Sequence, residues 1–136
     1  HWPAKVKAGK SDHISAFWDF MPTFSEIIGA AQVGGDGISF LPILLGSPNS
    51  QQKHNYLYWE FHEQNGKQAV RKGRWKAVKL NADSEEPVME LYDLENDPSE
   101  ENNLAPAYPD SVNMLRSLME RAHSPNPAFP FPSRKN

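Results

Sequence analysis

Residues 56–80 read YLYWEFHEQNGKQAVRKGRWKAVKL, and this stretch decides the fold. Its opening, Tyr56 to His62, is rich in aromatic side chains, which suit a pleated, half-buried surface. Alternate residues of a strand face opposite ways. Leu57, Trp59 and Phe61 therefore share one side, and Tyr56, Tyr58, Glu60 and His62 the other. Asn65-Gly66 marks a hairpin turn. Gln68 to Lys72 is a second strand with Gly73 at its turn. Trp75 to Leu80 is a third strand, setting Trp75, Ala77 and Lys79 against Lys76, Val78 and Leu80.

Downstream, the acidic loop 81–88 leads to a fourth strand, Met89 to Leu94. Short connections make an antiparallel meander the simplest pairing. Residues 95–109 are turn-rich, with Asp97-Pro98 favouring a turn and Ser99-Glu100-Glu101 suggesting one helical turn. Residues 110–123 form the strongest helix, with Asp110 as N-cap and Val112, Leu115, Leu118, Met119 and Ala122 on one stripe. Pro125 and Pro127 end it. The tail 124–136 runs over the surface, where Phe129 and Phe131 can dock. The fold class is α+β: a four-stranded antiparallel sheet with a packed C-terminal helix. The helical stripe is expected to cover Leu57, Trp59, Phe61, Trp75 and Ala77.

Upstream, residues 1–13 are polar and aperiodic. Phe17, Phe20, Met21, Phe24, Ile27 and Ile28 follow helical spacing. Pro22 cannot lie deep in a helix, so the reading is a turn around Trp18 to Phe20 and a helix from about Met21, with Pro22 in its first turn. Asp19 is its expected cap and Gly29 its stop. In the connector, residues 30–53, Ile38 to Leu45 hold one short apolar turn interrupted by Pro42, and residues 46–53 read as a polar surface loop. The expected divisions are 1–53, 54–123 and 124–136.

Composition narrows the function. The 136 residues carry 14 Lys plus Arg against 17 Asp plus Glu, a net charge of −3 that argues against a nucleic-acid partner. The longest uncharged apolar run, Ile38 to Gly46, falls far short of the ~20 residues of a membrane span. No apolar leader opens the chain, and a start on His1-Trp2-Pro3 without Met reads as a piece of a longer protein. With no cysteine, disulfides, Cys-type zinc sites and a cysteine nucleophile are excluded within these residues.

Arg71, Gly73, Trp75-Lys76, Glu90-Leu91-Tyr92-Asp93-Leu94, Asp97-Pro98, Glu100 and Asn103-Leu104 together form an ordered pattern that resembles the C-terminal subdomain of the sulfatase family. Trp2-Pro3, Gly9, Asp19-Phe20-Met21-Pro22-Thr23, Gly29, Asp36-Gly37-Ile38-Ser39 and Leu41-Pro42-Ile43-Leu44 resemble the join between that subdomain and the catalytic domain. Nearly the whole chain is covered. It looks most like bacterial arylsulfatase-like enzymes acting on sulfated sugars.

The resemblance implies the C-terminal part of an alkaline-phosphatase-like fold and a role in sulfate-ester hydrolysis. It implies a formylglycine nucleophile made from Cys or Ser in a C-x-P-S-R motif, and a calcium ion on oxygen ligands facing the sulfate. Lys, His and Arg complete the family's sulfate pocket. None of these motifs occurs here. Pro132-Ser133-Arg134 lacks the leading residue and reads as coincidence. No catalytic or metal residue is assigned, and the fragment alone is expected to be inactive. The expected partners are the upstream catalytic domain of the same protein and a sulfated sugar. The expected location is periplasmic or secreted.

The loops 62–67 and 81–88 lie at one end of a meander, and the resemblance suggests that this end faces the cleft. His62, Glu60 and Gln68 are the candidate substrate-binding residues, because hydroxyl-rich ligands need donors and acceptors on rigid elements. A plainer role is open: Glu60 and His62 can bond across to the upstream domain. Arg71 and Lys76 can reach an acidic sugar or serve as solvated, salt-bridged residues. Asp93 and Asp97 read as strand-end and turn residues, and His13, His54 and His123 lack the spacing of a zinc site. The face with Tyr56 and Tyr58 is expected to meet the missing domain and to leave an apolar patch. Two other readings compete: a phosphate-ester hydrolase of the same superfamily, and a non-catalytic carbohydrate-binding module.

Overall fold

A computed structural model describes residues 2–31, 34–82 and 84–128. The chain divides into two compact units, His1–His54 and Asn55–Asn136. The readings made for Phe129, Phe131 and Pro132-Ser133-Arg134 lie outside the described residues.

In the first unit a 3₁₀ turn, Phe17–Asp19, runs into helix α1, Phe20–Ile27. Pro22 lies in the first turn of α1, where its missing N–H costs nothing. The helix ends as expected. Gly29 takes φ +68, its N–H bonds Glu26 O at 3.3 Å, and Ala30 N–H bonds Ser25 O at 2.9 Å. This paired closure uses a left-handed glycine to satisfy the last carbonyls. Asp19, however, does not cap α1. Its Oδ2 accepts from Ala16 N–H at 2.7 Å and its Oδ1 from Ile38 N–H at 2.9 Å. The carboxylate thus ties the preceding turn to the connector instead.

Helix α2, Leu41–Leu44, is a single turn, and Pro42 opens it instead of interrupting it. The loop 46–53 is less exposed than its polarity predicts. Gln51 is buried, donating to Ser39 O at 2.8 Å and Gln52 O at 2.7 Å. A buried amide needs such partners, and only tertiary structure supplies them.

The second unit holds β1 (Leu57–Phe61), β2 (Lys67–Lys72), β3 (Trp75–Leu80) and β4 (Val88–Asp93). They form an antiparallel meander in the order β1-β2-β3-β4. Gly73, at φ +59, makes the tight β2–β3 turn. Gln64, Asn65 and Gly66 all have positive φ in the β1–β2 loop, and Ala82 N–H bonds Gly66 O at 3.0 Å. That bond joins the two loops at one end of the sheet.

Helix α3, Pro109–Ala122, begins one residue before the expected Asp110. Proline's fixed φ is already helical, so Pro109 takes the first helical position and Asp110 falls inside the first turn. Val112, Leu115, Leu118 and Met119 are buried against Val70, Ala77 and Leu91. At ~1.5–3 kcal/mol per fully buried apolar side chain, this seven-residue cluster is the main stabiliser of the unit.

One face assignment is reversed. Tyr58 pairs with Val70, Val70 with Ala77, and Ala77 with Leu91. Tyr58 therefore faces α3 together with Trp75, whereas Leu57, Trp59 and Phe61 lie on the opposite face. Both sides of β1 carry bulky groups, so alternation alone does not choose between them; the register does. The expected apolar patch is also elsewhere. Phe17, Phe20, Met21, Phe24, Ile27 and Ile28 are exposed on and beside α1, while Pro22, Thr23 and Ser25 are buried.

Candidate functional site

Glu60, His62 and Gln68 come together on the α3 side of the sheet. Glu60 and Gln68 are cross-strand partners, and His62 follows Glu60 on the same face. Tyr58 donates its hydroxyl to Glu60 Oε1 and accepts from Gln68 Nε2 at 2.7 Å. His62 Nε2 lies 3.0 Å from Glu60 Oε2. His123 Nδ1, from the end of α3, also bonds Glu60 Oε1. The carboxylate thus sits between one phenol and two imidazoles.

Burial works against ionisation of Glu60. The hydrogen bonds from Tyr58, His123 and His62 outweigh it and hold the carboxyl below its ordinary range. Burial, reinforced by the bond to Glu60, pushes the Tyr58 phenol far above its usual value. At neutral pH the cluster is a fixed anion ringed by the Tyr58 hydroxyl and two imidazoles. Such an array of acceptor and donor groups on a rigid sheet can orient hydroxyl groups.

The plainer role assigned to Glu60 and His62 takes a different form here: they bond within the sheet and to the end of α3. Two members of the cluster carry no such role in the sequence reading. Tyr58 shares the face of Glu60 and His62 as expected, but that face is the one α3 covers, and His123 is weighed in the sequence only against the spacing of a zinc site. The signal for His123 was its position four residues after Met119, on the buried stripe of α3.

The first unit has its own buried polar centre. Asp19 is 1 % exposed and its Oδ1 lies 2.8 Å from His54 Nε2. Thr23 Oγ1 donates to Asp19 O at 2.7 Å and accepts from Phe40 N–H at 3.0 Å. These bonds pin α1 to the connector. His13 is lowered chiefly by burial, with Asp19 opposing. Among the described residues no group of three or more His, Cys, Asp or Glu is placed to hold a metal, and no helix is long and apolar enough to cross a membrane.

The pattern at residues 71–104 has a structural account. Asp93 takes Arg74 Nε at 2.8 Å, Glu95 N–H at 3.2 Å and Asn96 Nδ2 at 2.8 Å. Asp97 accepts from the N–H groups of Asn102 and Glu101, and these bonds hold its carboxyl below the usual range. Lys76 Nζ reaches Glu100 at 2.6 and 2.8 Å. Asn103 Oδ1 accepts from Leu91 N–H at 3.1 Å, and Leu104 N–H donates to Leu91 O at 2.8 Å, closing the outer edge of β4.

This meander with its covering helix is the sheet of the alkaline-phosphatase-like sulfatase fold. The sequence pattern of the N-sulphoglucosamine sulphohydrolase C-terminal region matches residues 1–124, and the chain belongs to that family. It is 28 % identical to human arylsulfatase A over 86 % of this chain and 28 % of that protein. It is 29 % identical to the N-acetylgalactosamine-6-O-sulfatase of Bacteroides thetaiotaomicron over 88 % of this chain and 25 % of that one. A solved structure from work on the metabolism of multiple glycosaminoglycans by Bacteroides thetaiotaomicron superposes with a TM-score of 0.66 at 27 % identity, covering 89 % of this chain and 27 % of that one. The chain spans about a quarter of the length of these curated relatives.

Proposed function

We propose that this chain is the C-terminal portion of a sulfatase that hydrolyses sulfate esters on sulfated sugars, working in the periplasm or outside the cell. Family membership supports the ester chemistry, and the sugar-sulfatase relative supports the substrate class. In this reading the formylglycine nucleophile and the calcium ligands lie in an upstream catalytic domain of the same protein. Calcium supplies positive charge opposite the sulfate. The described residues of this chain offer no ligand set for it, and none is assigned.

The contribution of these residues is recognition of the sugar. The observation that carries it is the Glu60 carboxylate, oriented by Tyr58, His62 and His123 at the end of the sheet where the two loops meet. Glu60 accepts from a sugar hydroxyl, His62 donates to or accepts from a neighbouring one, and Gln68 fixes Tyr58 behind them. The exposed apolar side of α1 gives the upstream domain a surface to cover.

In the complete enzyme, His62→Ala lowers kcat/KM on a sulfated sugar by about tenfold, the scale of one lost hydrogen bond. Activity on a small aryl sulfate, which lacks the sugar, changes little. Equal kcat/KM for the variant and the wild type on the sugar substrate overturns the assignment of His62. Release of phosphate in preference to sulfate from matched esters overturns the sulfatase reading itself.

A further inference from the structure

The row of the sheet that carries Glu60 also carries a cation. Across the strands Glu60 pairs with Gln68, Gln68 with Lys79, and Lys79 with Met89. Residues directly opposite one another share a face, so Lys79 lies on the α3 side with Glu60 and Gln68. It stands one residue before the end of β3, where the loops 62–67 and 81–88 meet.

Lys79 is half-buried, and its ammonium makes no hydrogen bond or ion pair among the described residues. The carboxylates of the neighbouring elements are engaged elsewhere or solvated. Glu60 is held by Tyr58, His62 and His123. Glu90 in β4 pairs with Val78, on the other face, and accepts from the Tyr92 hydroxyl at 3.0 Å. Glu63, Glu85 and Glu86 in the two loops and Glu120 on α3 are exposed. A partly desolvated ammonium without a counter-charge is unfavourable, and an anion brought by a ligand offsets that cost through charge-assisted hydrogen bonds. Glu60 and Lys79 stand two strand spacings apart, roughly 10 Å between backbones. That span suits a sugar unit that offers a hydroxyl to the one and an acidic substituent to the other. Repulsion from the Glu60 carboxylate keeps the acidic substituent at the Lys79 end.

We infer that Lys79 is a specificity-determining residue of the sugar site. It pairs with an acidic group, carboxylate or sulfate, on the saccharide whose hydroxyl Glu60 holds, and so selects acidic saccharides over neutral ones. This rests on the recognition of a sugar by Glu60 and His62 proposed above.

The test is an NMR titration of the full chain with glucose, glucuronic acid, glucose 6-sulfate and inorganic sulfate, each to roughly 20 mM, a range that reaches millimolar dissociation constants. At least one acidic sugar is expected to bind about tenfold tighter than glucose and than inorganic sulfate, the scale of one charge-assisted contact. The tighter of the two identifies the substituent. Lys79→Met is expected to erase the preference and leave glucose binding as it was. Lys79→Gln gives the same reading if Lys79→Met fails to fold, and Lys79→Arg keeps the preference. Lys72→Met removes an equal charge from the same face at the far end of the sheet, opposite Trp75, and leaves the preference unchanged. Equal affinity for glucose and both acidic sugars, weakened for all three in His62→Ala, overturns the role of Lys79 and leaves the sugar site standing. A preference that survives Lys79→Met, or inorganic sulfate binding as tightly as the acidic sugars, overturns it equally. Absence of binding by any sugar also overturns it, whereas the sugar reading itself is decided by the kcat/KM of His62→Ala in the complete enzyme.

Discussion

His123, the residue that ends α3, bonds through Nδ1 to the carboxylate of Glu60 in β1, 63 residues earlier in the chain. The same carboxylate is bonded by Tyr58 from its own strand and by His62 just beyond the strand's end. One anion therefore fastens the last turn of the helix to the first strand of the sheet. This joins packing to recognition: the groups proposed to hold a sugar are also those that seat α3.

The pH dependence of stability follows from that anion. The Glu60 carboxyl is held below its ordinary value of 4.5, so its contribution is fully present above that pH. It is lost as pH falls through the lower folded-state value. Glu60→Gln is expected to destabilise the protein by about 1–3 kcal/mol at neutral pH, the cost of disturbing a half-buried, hydrogen-bonded group. The deficit shrinks on acidification below the ordinary glutamate range. Urea denaturation of both proteins across that range measures it, and a deficit that stays constant with pH contradicts the assignment.

Gly37 is a steric necessity. A Cβ there would lie 2.5 Å from Trp18 O and 2.9 Å from Pro22 Cγ. Gly37→Ala must push the connector off α1, and it is expected to cost about 1–3 kcal/mol, the usual penalty of overpacking. Alanine at Gly34, where nothing lies within 4 Å, serves as the control and is expected to change the melting temperature little.

Two residues of the family pattern should differ in weight. Asn103 accepts from Leu91 N–H and Ala105 N–H, and Leu91 is fully buried. Asn103→Ala strands these donors and is expected to cost about 1–3 kcal/mol. Lys76 and Glu100 are a quarter to a third exposed, so Lys76→Met is expected to cost at most about 1 kcal/mol. Denaturant midpoints of the two variants give the order directly. A larger loss for Lys76→Met reverses the argument.

The exposed side of α1 predicts association. Phe17, Phe20 and Phe24 lie along it with ring centroids 5.7 and 5.8 Å apart in succession. The chain as it stands is expected to self-associate, and Phe17→Ser with Phe24→Ser to shift it toward monomer. Sedimentation velocity over a range of concentrations measures the shift. Concentration-independent monomer for the unsubstituted chain removes the patch from the account.

The sheet was legible in the sequence because its signals are local. Aromatic alternation, Asn65-Gly66 and Gly73 each act within a few residues, and the strands appear within one residue of their expected positions. The stripe on α3 was legible for the same reason. The side of the sheet that α3 covers was not, because Tyr58 and Trp59 are equally plausible core residues until pairing with Val70 selects one. Asp19 was misread because a helix cap is its commonest local role, while Ile38 and His54 are 19 and 35 residues away. The candidate residues on β1 and β2 were visible together, but His123 reaches them only through the tertiary fold.

Closure of the β4 margin by Asn103 and Leu104 has a consequence for biosynthesis. Leu104 follows Asp93 by eleven residues. At ~5–20 residues per second of translation, that margin stands unguarded for on the order of a second. A bare strand margin is a template for annealing with another nascent chain. Placing the guard so soon after the strand keeps that interval brief.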